Sequence, residues 1–117
     1  MNYRDLQIWQ KSIDLCIEVY RLLKFLPKEE TYALSDQMRR SVVSVPSNIA
    51  EGYARKTTKE YLKFLSIANG SRAELETQLI LCSKIGYLKD TEIEEALHMS
   101  EEIGKMMSTI MSKLSNK

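Results

Sequence analysis

Apolar residues recur at intervals of three or four along most of the chain, which is the spacing of one face of an α-helix. Four stripes of this kind follow one another. The first can be capped at its start by Asp5, whose carboxylate accepts backbone N–H groups, and it is stopped by Pro27. Its apolar members are Leu6, Trp9, Ile13, Cys16, Tyr20 and Leu23.

The second stripe covers about residues 29–54 and has a proline, Pro46, in its interior. A proline removes one backbone hydrogen bond and crowds the carbonyl four positions earlier, here that of Val42. Because the stripe stays in phase beyond Pro46, the pattern predicts a helix kinked near that residue rather than a loop. Its apolar members are Leu34, Met38, Val42, Val45, Ile49 and Tyr53.

The third helix is predicted to begin at Thr57, which forms a capping-box spacing with Glu60, and to end before Gly86. The fourth is predicted to begin at a second such spacing, Thr91 to Glu94. Long helices with short connections favour antiparallel neighbours. The sequence therefore predicts an all-α single domain over residues 1–117, an antiparallel up-down-up-down four-helix bundle with long helices.

Two of the predicted helices carry a second face. Helix 3 is apolar on more than one side, with Leu62, Phe64, Leu65, Ile67, Leu79, Ile80 and Leu81. Helix 2 has a polar stripe at heptad spacing, with Gln37, Ser41, Ser44, Asn48, Glu51 and Arg55. We interpret these faces as a subunit interface or a buried polar network, which also includes Glu74 and Gln78. A solvated face of a monomer is the alternative.

Composition limits the possible classes of protein. At 117 residues, 44% hydrophobic and 28% charged, the chain is typical of one soluble domain. Its longest apolar runs fall short of the roughly 18 residues that a membrane span needs. The N-terminus has no apolar signal region, so we expect a cytoplasmic protein without membrane contact. Cys16 and Cys82 stand at core-type positions and are expected to be buried, reduced thiols.

Catalytic and metal-binding patterns are scarce. Glu95 and His98 have the Glu-x-x-His spacing of di-iron bundles, but such a site needs that motif twice and this chain has it once. There is no glycine-rich phosphate loop and no Cys-x-x-Cys motif. We therefore expect a non-enzymatic protein without a metal or another cofactor.

The charges suggest a binding surface. Residues 37–73 hold seven basic and two acidic side chains, whereas residues 74–117 hold five and eight. The basic residues cluster at the predicted turn between helices 2 and 3, where Tyr53 and Tyr61 are interleaved. Basic side chains neutralise phosphates and aromatic rings can stack on bases, so this turn is a candidate nucleic-acid surface. An ordinary solvated turn is the alternative. The candidate residues are Arg55, Lys56, Lys59 and Lys63, with Arg39 and Arg40 as further contacts.

Several segments carry a family resemblance. They are residues 5–11 (DLQIWQK), 36–40 (DQMRR), 44–52 (SVPSNIAEG) and 70–76 (GSRAELE). Together they resemble the four-helix-bundle proteins encoded in intervening sequences of bacterial 23S rRNA genes, over residues 3 to about 88. The resemblance implies a ring-like homopentamer. It also implies kinship to the accessory variability determinant protein of diversity-generating retroelements, which binds a reverse transcriptase and nucleic acid.

Two functions follow as expectations. The first is a homo-oligomeric adaptor that binds RNA or a nucleoprotein, such as one containing a reverse transcriptase. The second is a scaffold that binds only proteins, through the apolar face of helix 3 and the acidic face of helix 4.

Overall fold

The computed structural model describes residues 2–116, and within them the chain forms four α-helices and no strand. The helices are α1 (Gln7–Leu23), α2 (Leu34–Tyr53), α3 (Thr58–Ile85) and α4 (Asp90–Ser115). Two short 3-10 turns, Tyr3–Asp5 and Lys28–Glu30, precede α1 and α2. The prediction of an all-α four-helix protein is confirmed.

The helices pack around one core, with α2 against α1 and α3, and α4 against α3 and α1. Ser41 pairs with Gln78 and Ser44 with Ser71, so residue numbers rise along α2 as they fall along α3. This is the order expected for antiparallel neighbours. The predicted stripe of α2 is confirmed, because Met38, Val42, Val45 and Ile49 are fully buried. The predicted stripe of α1 is wrong: Tyr20 is exposed, and only Leu23 of its six members is buried. The neighbouring face of α1, with Ile8, Leu15, Val19 and Leu22, packs into the core instead. Other fully buried large side chains are Leu65, Leu75, Leu79, Ile103 and Met107. None of the helices between residues 2 and 116 has a stretch that is both long and apolar enough to span a bilayer.

Some of the predicted helix ends are confirmed. The Glu60 backbone N–H donates to Thr57 Oγ1 at 3.1 Å, which caps α3 as predicted. Gly86 ends α3 in the left-handed region, with φ of 98°, and its N–H donates to the Cys82 carbonyl at 3.2 Å. Glycine adopts this conformation without steric cost, so it suits the end of a long helix.

Three predicted starts are wrong. Asp5 belongs to the 3-10 turn and accepts a hydrogen bond from the Asn2 N–H, so it does not cap α1. Helix α2 begins at Leu34 rather than near residue 29, because the chain after Pro27 first forms the second 3-10 turn. Helix α4 begins at Asp90, and the Lys89 N–H donates to the Glu92 carboxylate at 2.8 Å. The second capping-box prediction was therefore two residues late.

Helix α2 runs without a break through Pro46, which is buried. The alternative of a loop at this segment is excluded, whereas the kink stays a prediction. The thiol of Cys16 on α1 donates to the Val42 carbonyl at 3.3 Å. That carbonyl is the one that would accept from residue 46 in a regular helix, so α1 supplies a donor that proline lacks.

Candidate nucleic-acid interface and helix seams

The turn between α2 and α3 presents four exposed basic side chains, Arg55, Lys56, Lys59 and Lys63. The Arg55 guanidinium donates to Glu51 Oε1 at 2.9 Å and lies 4.8 Å from the centre of the Phe64 ring. The three lysines form no salt bridge with any residue between 2 and 116. Their ammonium groups are therefore available to an anionic partner, whereas the Arg55 charge is already shared within the chain.

The aromatic rings beside this turn pack between helices. Tyr53 and Tyr61 meet edge to face with ring centres 5.8 Å apart, and burial raises the pKa of Tyr61. Gly52 makes this packing possible, because a Cβ atom there would lie 2.7 Å from the Phe64 Cβ. The turn therefore offers cationic groups, while its nearby rings are engaged with one another.

Arg39 and Arg40 lie apart from this turn. Arg39 donates to the Thr31 carbonyl at 3.5 Å, and Arg40 pairs with Asp36 at 3.2 Å. Arg40 lies thirteen residues before Tyr53, where α2 ends, which is about 20 Å at the rise of an α-helix. The structure thus divides the six predicted basic residues into two groups.

Charge is segregated along the axis of the bundle. The half that contains the α2–α3 turn holds eight basic and four acidic side chains, and the other half holds eight and twelve. The first half comprises residues 2–15, 44–71 and 103–116, and the second comprises residues 16–43 and 72–102. The charges of residues 2–116 balance as a whole, but the bundle has a positive end and a negative end.

Helices α2 and α3 meet through a polar network within one chain. Ser41 Oγ donates to Gln78 Oε1 at 2.6 Å, and the hydroxyls of Ser44 and Ser71 lie 2.7 Å apart. The Asn48 amide donates to Ser44 Oγ at 2.8 Å. This seam therefore contains three residues of the predicted set, namely Ser44, Asn48 and Gln78. Ser41 and Gln78 are the buried members of the network. The remaining predicted members, Gln37, Glu51 and Glu74, are exposed.

The seam between α3 and α4 holds a charged cluster that sequence reasoning missed. Arg72 donates to Asn69 Oδ1 at 3.1 Å, to Glu76 Oε2 at 2.5 Å and to the Ser100 carbonyl at 3.3 Å. The buried Ser100 hydroxyl donates to Glu76 at 2.6 Å. A Cβ atom on Gly104 would lie 2.6 Å from Arg72 Cζ, so glycine provides the space for the guanidinium. The available signal in the sequence was Arg72 itself, which stands at helical spacing between the apolar Ala68 and Leu75.

Only some of the apolar residues on α3 are buried within one chain. Leu65 and Leu79 are buried, while Ile67, Ile80 and Leu81 remain exposed. A further exposed patch, which the sequence did not reveal, lies on α1 and α2 and contains Ile17, Tyr20 and Val43 at 65%, 44% and 41% exposure. These patches are candidate contact surfaces.

The cysteines and the single histidine are candidate metal ligands and reactive groups. In the part of the chain that the structure describes, no three His, Cys, Asp or Glu side chains are placed to hold a metal ion. Cys82 is buried and Cys16 is partly buried, and burial raises the pKa of both thiols to about 11. Neither thiol therefore has the lowered pKa of a reactive cysteine.

The fold defines the chain as an all-α four-helix-bundle protein. The model of the family described as 23S rRNA-intervening sequence protein matches residues 4–109, and the chain belongs to this family. It is also similar to a protein of unknown function from the S23 ribosomal protein family of Bacteroides thetaiotaomicron VPI-5482, whose crystal structure was determined at 1.70 Å resolution. The similarity has a TM-score of 0.82 and 28% sequence identity, and it covers 89% of this chain and 97% of the other.

No protein with a curated description matches this chain. The predicted family is confirmed, whereas kinship to the retroelement protein stays a prediction.

Proposed function

We propose that this protein is a non-enzymatic homo-oligomer, a pentamer, which acts in the cytoplasm as an adaptor for RNA or for a nucleoprotein such as one containing a reverse transcriptase. The observation that supports RNA binding best is the group of three exposed lysines at the α2–α3 turn, Lys56, Lys59 and Lys63, which have no salt-bridge partner among residues 2–116. They lie in the half of the bundle that carries the positive charge. Oligomerisation would multiply this surface and strengthen the binding of a long polyanion.

The exposed apolar side chains support the oligomer. Ile67 and Leu81 on α3, and Ile17 and Tyr20 on α1, leave apolar surface in water on different sides of one chain. Burial of such surface between subunits would be favourable by about 25 cal/mol per Å². Light scattering behind size-exclusion chromatography tests this part, and a monomer at micromolar concentration would contradict it.

Fluorescence anisotropy with a labelled structured RNA tests the adaptor. The nuclease-treated protein should bind more weakly as salt increases, because each phosphate contact releases counterions. The double substitution Lys56→Glu/Lys59→Glu should lower affinity at least about tenfold at moderate salt and flatten the salt slope by about two. The matched control is Lys24→Glu/Lys28→Glu, which makes the same charge change at the other end of the bundle.

A scaffold that binds only proteins is the second candidate, and the acidic part of α4 favours it. Glu94, Glu95 and Glu101 are exposed, and Glu102 pairs with Lys11 at 2.8 Å. The Lys11 ammonium lowers the pKa of Glu102, so this carboxylate is charged across the physiological range. Absence of RNA binding at low salt by a well-folded oligomer, together with nuclease-resistant co-purification of a basic protein, would support the scaffold instead.

A further inference from the structure

The C-terminal third of α4 carries a shallow depression of about 500 Å³ on the outside of the bundle. Its lining consists of Lys105, Ser108, Thr109, Ser112 and Lys113. Within residues 2–116 the two lysines form no salt bridge, and the hydroxyls of Ser108 and Ser112 make no hydrogen bond. The Thr109 hydroxyl donates to the Lys105 carbonyl at 3.1 Å and keeps its lone pairs free to accept.

The packing of α3 on α4 places this depression in the same half of the bundle as the basic turn. Arg72 contacts Ser100 and Gly104, and Ser83 contacts Asp90, so the two helices run in opposite directions. Lys113 lies nine residues beyond Gly104, and Lys63 lies nine residues before Arg72. The two lysines are therefore at the same level of the bundle, on helices whose axes are about 8–10 Å apart.

The chemistry of these groups favours a particular kind of nucleic acid. The depression offers ammonium groups and hydroxyls, and no aromatic residue lines it. The tyrosines near the α2–α3 turn are engaged with each other. Single strands are commonly held by stacking of bases on exposed rings, whereas double-stranded RNA presents phosphates and 2′-hydroxyls and hides its base faces.

We propose that the RNA-binding surface continues from the α2–α3 turn onto α4, and that its ligand is double-helical RNA. Lys59 and Lys63 on α3 form one row of phosphate contacts, and Lys105 and Lys113 on α4 form the second. Ser108 and Ser112 lie between the lysines of the second row and are hydrogen-bonding groups for 2′-hydroxyls or phosphates. This inference rests on the proposed RNA-binding function and specifies the ligand and the extent of the site.

The test compares three labelled probes of equal length by anisotropy: an RNA duplex, its single strand and a DNA duplex of the same sequence. We expect the intact protein to bind the RNA duplex at least tenfold more tightly than the single strand. Lys105→Glu/Lys113→Glu should weaken duplex binding about tenfold and reduce the salt slope by about two. Lys24→Glu/Lys28→Glu is the control for charge alone, and circular dichroism checks that each variant is folded.

A second variant tests the hydroxyl groups without a change of charge. Ser108→Ala/Ser112→Ala should lower the preference for the RNA duplex over the DNA duplex several-fold and leave the salt slope unchanged. Equal loss of affinity for both duplexes would contradict the role of the 2′-hydroxyl.

The outcomes separate this inference from the proposed function. If Lys56→Glu/Lys59→Glu weakens binding and Lys105→Glu/Lys113→Glu does not, RNA binding stands and the extension onto α4 is wrong. Preferential binding of the single strand would overturn the choice of ligand. If the intact protein binds none of the three probes at low salt, both the inference and the proposed RNA function fail.

Discussion

Helix α3 is joined to its two neighbours by different chemistry. Against α2 it uses short, uncharged groups, such as the Ser41–Gln78 and Ser44–Ser71 pairs, and a backbone approach that only Gly52 permits. Against α4 it uses the guanidinium of Arg72 and the carboxylate of Glu76, placed over Gly104. Each seam contains a glycine. Gly52 allows α2 and α3 to approach closely, whereas Gly104 leaves room on α4 for the Arg72 side chain. The first seam should therefore be sensitive to added volume, and the second to lost charge.

The largest expected effect tests the α2–α3 distance. Gly52→Ala places a methyl group against the Phe64 Cβ, which cannot move without its helix, and should lower the free energy of unfolding by about 2–3 kcal/mol. Urea titration followed by circular dichroism measures this change. Gly70→Ala is the control, because no atom lies within 4 Å of its new Cβ and alanine should stabilise the helix by up to about 1 kcal/mol. Similar losses in both variants would refute the close-approach argument.

The next effect tests the charged cluster. Arg72→Leu leaves the Glu76 carboxylate, whose side chain is only 26% exposed, without its cationic partner. We expect a loss of about 2 kcal/mol at pH 7, since one charge of a largely buried pair stays uncompensated. Arg40→Leu removes an exposed partner of Asp36 and should change stability by less than about 0.5 kcal/mol.

Gly104→Ala sharpens the same point in a double-mutant cycle. In the native background the added methyl group meets the guanidinium, whereas beside Leu at position 72 that obstacle is gone and alanine should favour the helix by up to about 1 kcal/mol. If the two substitutions changed the free energy of unfolding additively, Gly104 would not be needed to accommodate the Arg72 side chain.

A smaller effect is expected for the uncharged pairs. Ser41→Ala leaves the buried Gln78 amide oxygen without its donor and should cost about 1 kcal/mol in unfolding experiments. Ser44→Ala should cost less, because that hydroxyl is only partly buried and water can replace its partner. Equal costs at the two positions would show that burial does not govern this seam.

The last effect concerns pH, and it appears only above the neutral range. Burial raises the pKa of Cys82, which lies in the α2–α3 seam with its thiol 3.6 Å from the Met38 sulfur. The unfolded thiol loses its proton at lower pH than the folded thiol, so stability that is present below about pH 8.5 should decline as pH rises toward 11. Comparing the slopes of stability from pH 8 to 10.5 in the native protein and Cys82→Ala measures this effect. An unchanged slope would rule out a contribution from Cys82.

Periodicity was sufficient to predict the helices, because burial of one face repeats regularly along the sequence. On α1 it did not select the buried face, because two neighbouring faces of that helix are both apolar and only the packing of α2 and α4 decides between them. The stripe through Pro46 and the end of α3 at Gly86 were both readable in this way. The start of α4 was not, because Lys89–Glu92 and Thr91–Glu94 have the same spacing and only the geometry of the preceding turn selects the first. Local sequence could not specify the Cys16–Val42 contact either, since its partners are 26 residues apart.

The part of the candidate site that is close in sequence was predictable, and the part that depends on helix packing was not. Lys56, Lys59 and Lys63 are close in sequence and therefore cluster in the fold, whereas Lys105 and Lys113 join the same end only through the packing of α4 on α3. Arg39 and Arg40 are close to this group in sequence but lie about 20 Å from the end of α2 that precedes it, since distance along a helix grows with every residue.

The separation of charge between the two ends has a consequence for how the molecule meets its partners. A chain that is nearly neutral as a whole attracts a polyanion weakly at long range, yet its electric dipole turns the positive end toward the approaching ligand. At low ionic strength the dipole should orient the protein over a longer distance and so increase the association rate. Added salt should lower the association rate, because it screens the field of the dipole. In a ring with all subunits pointing the same way, these dipoles would add along the axis, and the assembly would have one face for anions and one for cations.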